Sequence, residues 1–315
     1  MRQGQNPAKF IKQVGRPQRI TAAVLNYIPF LSGFYAETLD VLKVSLSSLA
    51  REAGLPFDLM VFDNGSCPEA RDFLIGEREA GRVQYLILSE KNVGKGGAWN
   101  VIMGGAPGEI IAYSDSDVLF SPSWLKRCVE ILETYPNVGM VTARPFRTPP
   151  ELYASTLAWA RQHAKLEAGQ FIPWETFLEF NLSLGQTEEE NRLIYANTQD
   201  WRLEYKGIRA LAGASHWQFA GFKTTLQRFL PFEMDKPMGE VRQMDRRVDE
   251  AGLLRLMVPE PLAMNMSNTL GYLRGELKPA GKRKRPSIWR RVLNFGPIRR
   301  VLLALHNRIF RWYYV

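Results

Sequence analysis

Hydrophobic positions between residues 19 and 143 fall into short apolar runs separated by stretches with helical spacing. The run RITAAVL (19–25) predicts a buried strand. Residues 36–52 place Leu39, Leu42, Leu46 and Leu49 on one helical face, and Gly54-Leu55-Pro56 ends that helix. DLMVFD (58–63) predicts a second buried strand, closed by the turn Asn64-Gly65-Ser66. A polar helix over about 68–79 and a strand VQYLIL (83–88) follow. The loop SEKNVGKGG leads into a short helix at 97–103, and EIIAYSD (109–115) is the next strand, ending in Asp115-Ser116-Asp117. Ser121-Pro122 opens a helix that runs to about Tyr135, and VGMVTA (138–143) is again a strand. Strands separated by helices of this length predict a parallel, right-handed α/β sheet.

The alternation stops at Pro149-Pro150. Residues 151–215 are rich in Trp and acidic residues, show no strong strand, and read as a helical insertion. HWQFA (216–220) restores the strand pattern, a helix is predicted over about 239–250, and LRLMVPEPL (254–262) is the last strand. The basic, turn-rich segment 275–286 reads as a linker, dividing the chain into a body (1–275) and a tail (276–315).

Composition sharpens this division. Hydrophobic residues make up 45% of the 315 and aromatics 11%, which fits a packed protein and excludes a disordered one. The formal net charge of +9 is unevenly spread: residues 276–315 hold eleven basic residues against Glu276, and residues 1–275 hold 30 basic and 31 acidic. The body is nearly neutral. The first twenty residues lack the apolar core of a signal peptide, and no stretch approaches the ~18 consecutive apolar residues of a spanning helix. Cys67 and Cys128 form neither a disulfide framework nor a metal quartet, so a reducing cytoplasm is expected and both thiols are read as inert. No internal repeat is present.

Ligands of open parallel sheets bind at the carboxyl ends of strands. Three polar clusters fall at such ends: Asn26-Tyr27, Asp63-Asn64-Gly65-Ser66 and Asp115-Ser116-Asp117. Asp115 and Asp117 can face one pocket from a turn, and hard carboxylate oxygens suit Mg2+ or Mn2+ holding a diphosphate. The same Asp-x-Asp turn would also serve to cap the helix that follows. Gly94, Gly96 and Gly97 suggest a nucleotide loop, but position 99 is Trp and no Gly-Lys-Ser/Thr occurs, which excludes a P-loop. His163, His216 and His306 are too scattered for a metal set; His216, beside Trp217 at the start of a strand, either lines the cleft or is a packed or surface histidine.

The ordered series VLNY (24–27), VFDNGS (61–66), EKNVGKGGAWN (90–100), YSDSD (113–117) and MGEVRQMDRRVDEAG (238–252) resembles the glycosyltransferase family 2 pattern, over about residues 19–268. The resemblance implies a GT-A fold and inverting transfer of a sugar from a nucleotide-sugar donor to a hydroxyl acceptor. It places Asn26 and Asp63 beside the base and ribose, Gly94 and Lys95 against the nucleotide, and Asp115 near the ribose or metal. Asp117 becomes the ligand of the ion on the donor diphosphate, and Asp245 the general base on the acceptor side. Three features depart from the family. Gln243-Met244 precedes Asp245 where Glu-Asp is usual. LAMNMSN (262–268) offers Asn265 where a metal-binding His is common. The 151–215 insertion, which is expected to shape the acceptor side, exceeds a minimal core.

The tail adds a location. Written as a helix over 297–313, it places Ile298, Val301, Leu302, Leu305, Ile309 and Trp312 on one face and Arg300, Asn307 and Arg311 opposite. With KRKR (282–285), residues 282–315 suit an anionic membrane surface, predicting a peripheral enzyme on the cytoplasmic face of the cell membrane. A lipid-linked saccharide in surface-polysaccharide assembly is the expected acceptor. Nucleic acid is the less suited partner, because phosphate binding needs no apolar face. Two alternatives stand beside this expectation. One is a sugar-nucleotide pyrophosphorylase, which wants a Gly-rich loop where this chain reads NYIPFLSGFY; the other is a non-enzymatic α/β module with a nucleic-acid-binding tail.

Overall fold

The computed structural model describes residues 4–184, 186–233, 242–271, 273–275 and 308. Its first half alternates as the pattern predicts. β1 (Ile20–Asn26), α1 (Thr38–Arg51), β2 (Asp58–Asp63), α2 (Pro68–Glu79), β3 (Tyr85–Leu88), α3 (Gly94–Gly105) and β4 (Ile110–Asp115) follow in order. A three-residue strand, β5 (Val118–Phe120), then precedes α4 (Trp124–Thr134) and β6 (Val138–Thr142). The second half contains α5 (Ala154–His163), β7 (Lys165–Gly169), α6 (Trp174–Ser183), α7 (Glu188–Asn197), β8 (Asp200–Tyr205) and β9 (Ile208–Ala212). It closes with β10 (Gln218–Phe222), α8 (Lys223–Gln227), α9 (Arg242–Glu250), β11 (Leu254–Met257) and β12 (Ala263–Asn265).

Ten strands form one sheet in the order β3-β2-β1-β4-β10-β6-β11-β9-β8-β7, while β12 pairs with β5 in a separate ribbon. The block β3-β2-β1-β4 is wholly parallel, and β10 enters antiparallel to both β4 and β6. The expected α/β class with a mostly parallel sheet is therefore borne out. The central strands read as continuous apolar runs because both faces are covered. Ala22 and Val24 of β1, Leu59 and Val61 of β2, and Ile110 and Ala112 of β4 pack on the side of α1, α2 and α4. Their alternates Ala23, Leu25, Met60, Phe62, Ile111 and Tyr113 pack on the side of α3, α8 and α9. The strand period of two thus divides one sheet between two hydrophobic layers. Cys128 is fully buried in the first layer and burial pushes its thiol far above the ordinary range, in keeping with an inert residue.

The insertion requires a correction. Residues 151–215 carry three helices, but also β7, β8 and β9, an antiparallel meander that extends the main sheet to its edge. These strands were illegible because charged residues interrupt them: Lys165 and Glu167 in β7, Arg202 and Glu204 in β8, Arg209 in β9. Such residues suit a strand near an open edge, where side chains reach water and discourage further pairing. A second correction lies at 254–262, where the strand stops at Met257 before Pro259 and Pro261 and the chain re-enters pairing as β12. The expected tail at 276–315, with its membrane face, lies outside the described residues apart from Arg308.

Candidate active site

Because β2, β1 and β4 are parallel neighbours, their carboxyl ends lie on one edge of the sheet. Asn26 is in register with Asp63, and Leu25 with Asp115. The three polar clusters picked out from the sequence therefore meet at one place.

Asn26 and Asp63 are both fully buried. Asn26 Nδ2 donates to Asp63 Oδ1 at 2.9 Å and to Ser66 Oγ at 3.1 Å. Asp63 Oδ2 accepts from the Ser66 amide at 3.1 Å and from Arg71 Nε at 3.4 Å. This cluster folds the turn after β2 tightly beneath the edge, so both side chains shape the floor of the site. Above it, Asn64 Oδ1 accepts from the Val93 amide at 2.9 Å, and Asn64 Nδ2 donates to Asn92 Oδ1 at 3.0 Å. Asn92 Oδ1 in turn accepts from the Gly94 amide at 2.7 Å. The loop after β2 and the loop before α3 are thus one unit. Gly94 opens α3 at φ +72°, a conformation natural to glycine.

Lys95 projects from the first turn of α3 and donates from Nζ to Asp115 Oδ2 at 2.7 Å, with Nζ 5.4 Å from the Trp99 ring centre. The Tyr113 hydroxyl donates to Asp115 Oδ1 at 2.6 Å. Burial, with the Asp115 charge, drives the Tyr113 phenol well above its usual range, so it stays a donor. Both oxygens of Asp115 are occupied. Asp117 differs: its Oδ1 is shielded from solvent and receives no hydrogen bond among the described residues. Burial, and secondly the Asp115 charge, push its carboxyl up to about 7. The capping alternative fails, because β5 intervenes and α4 begins after Ser123 with no side-chain cap.

The residues present fit a divalent cation. A shielded carboxylate oxygen with no donor, on a carboxyl whose pKa is raised by burial and by Asp115, is a position that a hard cation satisfies. Asn265 is paired with Val118 across the β12–β5 ribbon, and the Met266 amide donates to the Asp117 carbonyl at 2.8 Å. Asn265 Oδ1 already accepts from the Ser267 amide at 2.7 Å, leaving one lone pair for an ion. Among the described residues no group of three His, Cys, Asp or Glu converges, so protein carboxylates alone do not complete a site.

Asp245 is brought to the same edge but is not open to it. It is 3% exposed, and its Oδ1 accepts from Arg255 Nη2 at 2.5 Å while its Oδ2 meets His216 Nδ1 at 2.7 Å. Arg255 is buried in β11, donates to Leu152 O and, at 2.6 Å, to Ala214 O, and burial lowers its pKa from the ordinary arginine range. Sequence reading singled out neither Arg255 nor the His216–Asp245 contact. The pairing spans 29 residues, and only the order β4-β10-β6-β11 brings it together. His216 itself did carry a signal, as a histidine at the start of a strand beside the cleft.

A cavity of about 460 Å³ is lined by residues that include Phe146, Arg147, Asp200, Trp201 and Met257. Arg147 Nε donates to Asp200 Oδ1 at 2.7 Å, and the guanidinium lies 4.4 Å from the Tyr195 ring centre. Phe146 is also in ring contact with Trp217, next to His216, at 6.3 Å.

Residues 33–182 match the family model described as Glycosyl transferase family 2. That match includes Asp63, Lys95, Asp115 and Asp117 and leaves Asn26, His216, Asp245 and Asn265 outside it. An uncharacterized glycosyltransferase from Nostoc sp. is 28% identical over 100 residues, 32% of this chain and 31% of that protein. This chain thus spans about a third of the length of that relative. Among solved structures, the mannosyltransferase PcManGT from Pyrobaculum calidifontis in complex with GDP-Man and Mn2+ is similar at 17% identity and a TM-score of 0.49, covering 83% of this chain and 60% of that one. S. aureus TarS 1–349 in complex with UDP-GlcNAc is similar at 14% identity and a TM-score of 0.48, covering 80% and 61%.

Proposed function

We propose that this chain, whose residues 33–182 match the glycosyltransferase family 2 model, is a member of that family and transfers a sugar from a nucleoside-diphosphate sugar to a hydroxyl acceptor with inversion. The observation that carries the reading is the shielded, unpartnered Oδ1 of Asp117, set beside the Lys95–Asp115 pair at the carboxyl edge of the sheet. Asp117, with the free lone pair of Asn265, would hold Mg2+ or Mn2+. The ion supplies charge neutralisation for the departing diphosphate. Lys95, carried on the first turn of α3, offers a second cation at the same place, and the joined 64–66 and 92–94 loops border the nucleotide. Asp245 and its partners stand on the acceptor side. There a base that takes the hydroxyl proton in the transition state contributes about 10²–10⁴-fold. The cavity walled by Arg147 and Trp201 receives the acceptor saccharide, and the basic tail brings the enzyme to a lipid-linked acceptor on an anionic membrane.

Calorimetry with UDP and GDP, with and without Mn2+, tests the donor site. We expect Mn2+-dependent binding of one of the two nucleotides, abolished in Asp117→Ala. Binding of the same strength in that variant would remove Asp117 as the metal ligand, and no binding of either nucleotide would remove the donor site itself.

A further inference from the structure

We propose that the cavity walled by Arg147 and Trp201 takes an uncharged sugar unit and excludes uronates and sugar phosphates. The inference rests on the acceptor reading above and names the chemical class of that acceptor.

Arg147 gives the cavity a cation whose bonds are all committed. Among the described residues that line it, Arg147 and Asp200 are the charged ones. A guanidinium has five N–H donors, and here five acceptor contacts match them. Nε donates to Asp200 Oδ1 at 2.7 Å, and Nη1 donates to Tyr195 O at 3.0 Å and to Thr198 Oγ1 at 2.5 Å. Nη2 donates to Gln170 Oε1 and, at 3.4 Å, to Asp200 Oδ2. The ring centres of Tyr195 and Phe177 lie 4.4 and 4.9 Å from the guanidinium carbon. Asp200 is as fully engaged. Its side chain is 3% exposed, and Oδ2 also accepts from the Phe171 and Ile172 amides, each at 2.9 Å. Gln170 Nε2 completes the network, donating to Tyr195 O at 3.0 Å and Thr198 O at 2.9 Å. These groups fasten the end of α7 and the start of β8 to the Gln170–Ile172 turn. An anionic ligand would have to draw Arg147 away from Asp200, leaving a buried carboxylate without its counter-charge.

The rest of the lining agrees. Burial raises the pKa of the Tyr153 phenol, and the charges of Asp200 and Glu151 each raise it further by more than Arg147 lowers it. The field there keeps the phenol a neutral donor and disfavours a second anion. The other polar residues of the wall are uncharged, among them Thr148, Tyr153, Asn197 and Gln199, and they stand beside apolar Phe146 and Met257. Hydroxyls and amides suit sugar hydroxyls, and apolar walls suit the C–H face of a pyranose. At about 460 Å³ the cavity falls within the ~300–1,000 Å³ of small-molecule sites. It also adjoins the acceptor side. Arg255, which holds Asp245, donates to Leu152 O and Ala214 O, and Tyr153 and Ala212, close by in the chain, line the cavity. A lipid-linked acceptor would seat its sugar here and keep its phosphates outside.

The test reads saturation-transfer difference NMR of small glycosides on the full chain, with Mn2+ and UDP or GDP present. The neutral probes are the methyl glycosides of glucose, galactose, mannose and N-acetylglucosamine. The charged probes are methyl glucuronide, methyl galacturonide and the 6-phosphates of the hexose glycosides. We expect at least one neutral probe to bind, and its charged counterpart to bind about fivefold more weakly or worse. Ala196 is exposed on α7 and lines the cavity, so A196W fills the opening without entering the core. The neutral probe's signal should be lost in A196W while Mn2+-dependent nucleotide binding persists. A charged probe that binds within about fivefold of its neutral counterpart, or more tightly, and is lost in A196W overturns the uncharged class but keeps the cavity as the acceptor site. Signals that survive in A196W, or no signal from any probe, overturn the acceptor reading of the cavity and this inference with it.

Discussion

At the scale of single residues, the site is a set of carboxylates sorted by their partners. Asp63 and Asp115 have donors on both oxygens and Asp245 has a partner on each, whereas Asp117 has an oxygen with none among the described residues. This difference predicts a pH dependence. The Asp117 carboxyl is raised from 3.8 to about 7 by burial and by Asp115. A raised pKa means that the folded protein binds the proton more tightly than the unfolded chain. Its stabilising contribution is present below about pH 4 and is lost as pH rises through 7. Metal ions require the carboxylate, so they must displace a proton below that pH. Mn2+ should therefore raise the melting temperature more at about pH 8 than at about pH 5.5, by several degrees, and Asp117→Asn should flatten the difference. Equal Mn2+ shifts at the two pH values in the parent protein would contradict the assignment.

Elements set where those residues stand, and here the sequence was legible in proportion to how local the cause is. β2 and α2 begin and end where the apolar run, the Pro68 start and the helical spacing put them. That Asn26, Asp63, Asp115 and Asp117 gather at one edge was legible because a strand end is a local feature and parallel strands share an edge. Their partners were not legible. Arg255 sits in LRLMV, which reads as plain core, and its guanidinium finds Asp245 only after β11 has docked on β6. The strands β7–β9 were missed for a related reason: their side chains answer to an edge and to water, which dilutes the apolar pattern. The turn between β2 and α2 has a sharper requirement. Gly65 lies at φ +84°, and a Cβ there would stand 2.9 Å from the Lys91 carbonyl carbon. Gly65→Ala should cost about 1–3 kcal/mol through backbone strain and separation of the 64–66 and 92–94 loops. Urea unfolding measures this, and a change below about 0.5 kcal/mol would show that the two loops are not coupled as described.

For the whole molecule, charge is divided along the chain. Residues 1–275 hold 30 basic and 31 acidic residues, and the positive excess is concentrated in 276–315, with eleven basic residues against one acidic. No described helix is long and apolar enough to cross a membrane. An amphipathic pattern with Trp289, Trp312, Tyr313 and Tyr314 suits the plane of a membrane interface. Each Lys or Arg near such a surface contributes about 1 kcal/mol, and salt screens that contribution over about 10 Å at 0.1 M. On the proposed docking two forces would act together: the basic residues would draw the chain to the surface and the apolar face would hold it there. The full chain should float with vesicles containing phosphatidylserine and much less with vesicles of phosphatidylcholine alone. Raising the salt before mixing should reduce flotation, and raising it afterwards should reduce it less, because inserted apolar side chains are not screened. A chain truncated after Glu276 should stay with the soluble fraction while keeping its Mn2+-dependent nucleotide binding. If the truncated chain floats as well as the full one, the body holds the membrane contact and the basic tail serves another partner.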